Sequence, residues 1–185
     1  MTATQPQTRR PHRAVGPVDG KLLRNVCGLF VTGVTVITSG TGEQASGATV
    51  NSFTSVSLDP SLVLFCLHKD SRLRQVVEET GAYAVNFLTG RQEQVAWAFA
   101  GRQTATLQSV DHHLSATGVP VLSEAMAFLS CRLVNAFEGG DHTIFVGEVV
   151  ELGLPCADQE PLIFFRGSMG SLEEEQRTTH PIFDG

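Results

Sequence analysis

No stretch of the 185 residues approaches the roughly 18 unbroken apolar positions that a membrane-spanning helix needs. The N-terminal segment also lacks the apolar core of a secretory leader. Cysteine is sparse, at 27, 66, 131 and 156, with no C-x-x-C pair, which removes zinc-finger and thioredoxin-like chemistry. Unpaired cysteines without a leader point to the cytosol. Charge is modest at 17%, and hydrophobic residues make up 42%, a folded rather than disordered composition. Acidic residues outnumber basic ones, 19 to 13, and a net charge of −6 argues against nucleic acid as the main partner. No G-x-x-x-x-G-K-[ST] loop, no strand-to-helix G-x-G-x-x-G and no G-x-S-x-G elbow is present, so P-loop, Rossmann and hydrolase-elbow chemistry are all unsupported.

What is present reads as one β-rich domain. Residues 1–17 form a polar arm with a small basic cluster (Arg9, Arg10, His12, Arg13), residues 18–170 the domain, and 171–185 a tail. Asp19 suits a helix N-cap, and Leu22, Leu23, Val26, Leu29 and Phe30 follow at helical spacing. Val34–Thr38 is β-branched and reads as a strand, and residues 48–58 resume strand-like composition after a Gly-rich turn. The apolar run 62–67 predicts a strand buried on both faces. Ser71 opens a helix ending near Gly81, residues 83–88 form a strand, and 92–100 a short helix. The stretch 101–124 is expected to be loop. Residues 128–137 and 143–152 flank the turn Glu138-Gly-Gly-Asp141 as a hairpin, and 161–165 forms a last strand. Six or seven strands, three helices and no βαβ alternation favour a mainly β fold, a closed antiparallel barrel with peripheral helices.

Two segments carry candidate chemistry. In residues 47–58, Thr49, Asn51, Ser52, Ser55 and Ser57 place short donors and acceptors among apolar neighbours, and alternation would put Thr49 and Asn51 on one face. Such a set suits a planar heteroaromatic ring with imide edges, or a phosphate in a backbone nest, or simply the polar face of an edge strand. In residues 139–145, Asp141 and His142 sit in a tight Gly turn. There the imidazole is stiffly placed to polarise a carbonyl or hold a cofactor amide, unless Asp141 only serves the turn. His112-His113 is too isolated to suggest a metal site, and none is expected.

Taken in order, TGVTVIT (32–38), GATVNSFTSVSLDPSLVLFCL (47–67), AYAVNFL (82–88), QEQVAWAFA (92–100), GVPVL (118–122), EGGDHTIFVGEV (138–149) and PLIFFRG (161–167) resemble the short-chain flavin reductases of two-component flavin-dependent monooxygenases. These belong to the flavin reductase-like, FMN-binding split-barrel family. The resemblance implies an NADH-dependent enzyme that reduces free FAD or FMN and releases it to a partner monooxygenase, with NADH as co-substrate. A non-catalytic flavin carrier is the alternative. It implies flavin contacts at Thr32, Gly33, Val34, Thr35, Thr49, Val50, Asn51, Ser52, Ser55, Val56 and Ser57, and a phosphate-proximal turn at Lys69, Asp70 and Ser71. Phe87 and Phe99 would wall the flavin, and Asp141 with His142 would face the nicotinamide, His142 as the catalytic candidate. It further implies a homodimer with the flavin near the subunit interface. After PLIFFRG the family often continues with aromatic and basic residues. Here Ser168-Met169-Gly170 follows, a departure that leaves Arg166 the only cation at this end, counted among the cofactor contacts.

Overall fold

The computed structural model describes residues 17–102 and 106–172. The basic cluster at 9–13 and most of the expected tail lie outside the described residues. Helix α1 (Gly20–Cys27) starts where its capping residue predicts: Asp19 Oδ1 accepts the Leu22 N–H at 2.7 Å. None of its residues is buried, so its apolar face has no partner among the described residues.

Strands β1 (Thr32–Gly33), β2 (Thr35–Ser39), β3 (Ser46–Val50), β4 (Thr54–Leu58) and β5 (Ser61–His68) follow. The single strand-like run expected over 48–58 is two strands, because the chain leaves the ladder at Asn51, Ser52 and Phe53. Helix α2 (Arg72–Thr80) ends at Gly81, whose φ of +66° supplies the left-handed cap. Strand β6 (Ala82–Phe87) and the short helix α3 (Glu93–Trp97) come next. The expected loop over 101–124 contains a hairpin of β7 (His112–Leu114) and β8 (Pro120–Leu122). Three-residue strands are too short to show a period. What seats them is tertiary: Thr38 Oγ1 donates to Pro120 O at 2.5 Å, and Asn86 Oδ1 accepts the Leu122 N–H at 2.8 Å. The long hairpin β9 (Ala127–Gly139) and β10 (His142–Gly153), then β11 (Leu162–Phe165) and β12 (Ser168–Ser171), complete the chain. Among the described residues there are thus twelve strands, several of them two to four residues long.

Seven strands form one antiparallel sheet in the order β3-β2-β6-β9-β10-β5-β4. Its two edges, β3 and β4, are consecutive in the chain and do not pair. The sheet curls without closing, so the closed barrel expected from element counting is a split one, open where residues 51–53 lie. Ile37, Phe65, Tyr83, Val85 and Phe145 fill its interior, with Leu73 and Val77 added by α2. Strand β5 alternates rather than being buried on both faces: Val63, Phe65 and Leu67 point into the core, while Leu62, Leu64 and Cys66 are half-buried. A second core of Val34, Val36, Leu88, Phe99 and Leu162 lies outside β2 and β6.

The interior is closely fitted around one aromatic. The Tyr83 ring meets Phe65 edge-on at 4.7 Å, and a Cβ on Gly147 would run into its hydroxyl. Burial pushes the Tyr83 phenol well above its ordinary range and the Cys131 thiol up to about 12, so neither ionises near neutrality. No helix among the described residues is long and apolar enough to cross a membrane.

Candidate functional site

A cleft of about 460 Å³ opens where β3 and β4 part. Its floor is a ring of three backbone hydrogen bonds that ties three chain segments together. Val34 N donates to Leu162 O at 3.1 Å, Leu162 N to Leu88 O at 2.9 Å, and Leu88 N to Val34 O at 3.1 Å. Thr32 and Gly33 form one wall, Asn51, Ser52, Phe53 and Thr54 the other, and Phe87 stands edge-on to Phe53 at 5.0 Å. No lining residue is charged.

Two observations show room for a ligand with polar edges. Thr32 Oγ1 is buried yet has no hydrogen-bond partner among the described residues, which is costly unless something else satisfies it. A Cβ on Gly33 would meet nothing within 4 Å, so the wall stands back from the cleft there. The Ser52 hydroxyl, in contrast, is already used: it accepts from Cys66 N at 3.0 Å and donates to Cys66 O at 3.2 Å, pinning this wall to β5. Ser52 and Asn51 therefore offer the cleft their backbone groups, which lie outside the ladder, and the Asn51 side chain. An uncharged, mostly apolar slot with a few fixed polar groups fits a planar heterocycle such as an isoalloxazine.

A second constellation lies at the far end of β5 and the start of β10. His142 pairs with His68 across the ladder, and their rings meet edge to face with centroids 5.3 Å apart. His142 Nδ1 lies 2.7 Å from Asp141 Oδ1. That hydrogen bond, and then the charge of the ring, hold the Asp141 carboxyl below its ordinary range. An ionised carboxylate can only accept, so His142 Nδ1 carries the proton.

The structure sorts the expected contacts. Thr32, Gly33, Val34, Thr35, Asn51, Ser52 and Phe87 come together in the cleft. Thr49 does not line it: its hydroxyl donates to Ala96 O at 2.7 Å, so it shares no open face with Asn51. Val50 packs against the barrel interior. Ser55, Val56 and Ser57 lie on the edge strand β4, and Ser57 Oγ accepts from Asp59 N in the following turn. Lys69, Asp70 and Ser71 face the Asp141 turn instead: Lys69 N donates to Asp141 O at 3.0 Å, and Lys69 Nζ is 3.5 Å from Glu138. Phe99 is buried in the outer core with its ring under Gly47, on the wall of a separate recess of about 110 Å³ beside Arg72. Arg166, with φ +51°, sits in the β11–β12 turn, donates its N–H to Gly28 O and lays its guanidinium over Phe165. His112 and His113 join no metal-binding group, and none exists among the described residues. Phe30, Phe53, Thr54, Leu88, Met126, Pro161 and Leu162 line the cleft without having been singled out. They are apolar or incidental in sequence and reach the cleft only because the fold brings the segments around β1, β6 and β11 against the 51–54 wall and the start of β9.

Comparison with known proteins gives this geometry a family. The description "Flavin reductase like domain" matches residues 27–173. The chain is 35% identical over 162 residues to the reductase subunit HsaB of a flavin-dependent monooxygenase from Mycobacterium tuberculosis, covering 87% of each chain. It is 43% identical over 145 residues to an NADH-dependent FAD reductase of Streptomyces globisporus, covering 76% of this chain and 79% of that one. Among solved structures, the S. globisporus C-1027 NADH:FAD oxidoreductase SgcE6, in complex with NAD and FAD fragments, superposes with a TM-score of 0.82 at 39% identity. That match covers 89% of this chain and 99% of SgcE6. The split sheet, the uncharged cleft at its opening and a match across most of the chain lead to one assignment: the chain belongs to the flavin reductase-like domain family.

Proposed function

We propose that this protein is an NADH-dependent flavin reductase that takes up FAD or FMN in the cleft at the barrel split and passes the reduced flavin to a partner flavin-dependent monooxygenase. The observation that carries the reading is the uncharged slot with its unpaired Thr32 hydroxyl, in a chain whose structural relative was solved with NAD and FAD fragments. Thr32, Gly33, Asn51 and Ser52 would hold the polar edge of the ring, with Phe53 and Phe87 supplying apolar contact. Bound together, the two cofactors supply hydride transfer from the nicotinamide to the flavin; the protein aligns them. The hydrogen-bonded floor keeps that alignment rigid, and backbone groups of the 51–53 break are placed to stabilise charge on a ring edge. His142, its Nδ1 proton held by Asp141, orients the nicotinamide. Cys66 N is bound to Ser52 of the cleft, and His68 lies two residues further along β5, about 7 Å on. That spacing along one strand supports assigning the imidazole end to the nicotinamide.

The homodimer belongs to the same reading. Phe137, Ile144 and Cys66 lie in register on the outer face of β9, β10 and β5. Phe137 is 51% exposed, apolar area that a second copy would cover. The four free cysteines suit the cytoplasm. The test is aerobic NADH oxidation followed at 340 nm with added FAD or FMN, and with NADPH in parallel. Flavin-dependent loss of absorbance is expected. A flat trace with every pairing refutes the assignment.

A further inference from the structure

We propose that His68 is a second specificity residue for the pyridine nucleotide, and that His68 and His142 together clamp a primary carboxamide. The inference rests on the reductase reading above. It starts from the opposite hydrogen-bonding states that the two rings are held in. His142 donates through Nδ1 to the Asp141 carboxylate, so in its neutral form Nε2 is left as an acceptor. His68 is held the other way round: its Nδ1 accepts the backbone N–H of Asp70 at 3.2 Å, so its Nε2 carries the proton and is left as a donor.

The two rings are neighbours, in register on adjacent strands and edge to face at 5.3 Å. Both side chains are about half exposed, at 51% and 44%, so neither ring is consumed by the core. Each is fixed by a residue of its own turn, and the turns are fixed to each other through Lys69 N and Asp141 O at 3.0 Å. One free acceptor beside one free donor is the complement of a –CONH2 group, which offers N–H and C=O side by side. The nicotinamide of NADH carries that group. The amide N–H would go to His142 Nε2 and the amide oxygen would accept from His68 Nε2–H. Of the remaining charges at this end, Lys69 lies 3.5 Å from Glu138, and the Asp70 carboxylate, 92% exposed, is left to solvent, so neither needs a charge from the ligand.

The test uses the full-length protein and three reduced dinucleotides: NADH, its 3-acetylpyridine analogue, which replaces the amide nitrogen by methyl, and its thionicotinamide analogue, which replaces the oxygen by sulfur. His68→Phe keeps an aromatic ring against His142 but has no N–H, and His68→Gln restores a donor. Expected results are a three- to tenfold rise in KM for NADH in His68→Phe, roughly the loss of one neutral hydrogen bond, with recovery to within about twofold in His68→Gln. His68→Phe should also lose the parent's preference for oxygen over sulfur, while His142→Phe loses the preference for amide over acetyl. Flavin affinity, read by fluorescence quenching, should stay within about twofold in every variant. An unchanged KM in His68→Phe, equal impairment in His68→Gln, or a parallel loss of flavin binding would each overturn the clamp. If the parent oxidised no NADH with any flavin, the reductase reading itself would fall, a result distinct from these.

Discussion

Gly33 offers a perturbation in which folding and binding should move in opposite directions. It lies on β1, paired with Ile163 of β11, and on the wall of the cleft. Its φ is not in the left-handed region, and a Cβ there touches nothing within 4 Å, so the fold itself does not require glycine. Replacing it by valine should leave the sheet intact and relieve the entropic cost of glycine in a strand, roughly 0.5–1 kcal/mol. For a domain of this size that corresponds to a Tm higher by about 1–4 °C. The same side chain projects into the space proposed for the flavin. Overpacking a fitted site costs about 1–3 kcal/mol, or about 5- to 150-fold in Kd. Differential scanning fluorimetry without flavin, and quenching of FAD and FMN fluorescence on titration, measure the two halves separately. Weaker flavin binding at equal or higher Tm is expected. Unchanged flavin affinity would show that the ring does not lie against Gly33, and a fall in Tm would show that the strand needs glycine after all.

Three further outcomes follow from the interior and the imidazole end. Asn86→Ala removes bonds to Val36 O (2.9 Å), Thr38 Oγ1 (3.1 Å) and the Leu122 N–H (2.8 Å), all buried, and should destabilise by about 3–5 kcal/mol in urea unfolding. A loss below about 1 kcal/mol would mean the hairpin β7–β8 is not seated by this side chain. Gly147→Ala drives a methyl into the Tyr83 ring and should cost about 1–3 kcal/mol, recovered in part by Tyr83→Phe, which removes the hydroxyl nearest the new methyl. No recovery in the double variant would argue that the strain lies elsewhere. Asp141 should titrate below the ordinary carboxylate value of about 3.9. Because the folded pKa is the lower one, its stabilising effect is present above the unfolded value and fades as pH falls through the folded value. Carboxyl NMR titration should show the shift in the parent and its return toward normal in His142→Ala. An unaltered Asp141 would separate the two groups.

The relative contributions of sequence and fold are visible at particular residues. The start of α1 at Asp19, the stop of α2 at Gly81 and the hairpin turn at 138–141 are local: a cap, a left-handed glycine and a Gly-Gly turn depend on a few neighbouring residues, so the sequence alone reveals them. The alternation in β9 and β10 is of the same kind. The cleft-lining residues at 32–35 and 51–52 were likewise legible as a candidate site, through their order along the chain and their likeness to a known family.

Other features depended on contacts between distant segments. Whether Thr49 faces a ligand or Ala96 is decided by where α3 packs, 47 residues away in sequence. The hairpin β7–β8 exists because Thr38 and Asn86 hold it, not because its six residues prefer strand. The apolar floor from Val34, Leu88 and Leu162 is a junction of three segments, each of which reads alone as ordinary core. By itself, then, the amino-acid order determined the caps, the turns, the strand periods and the chemical character of the 47–58 and 139–145 segments. Tertiary structure decided where the sheet stays open, which hydroxyls are already spent on backbone partners, and that His68 stands beside His142. The physical reason is range: dihedral preference and alternation act over a few residues, whereas a cleft is the space left between surfaces that only the completed fold brings together.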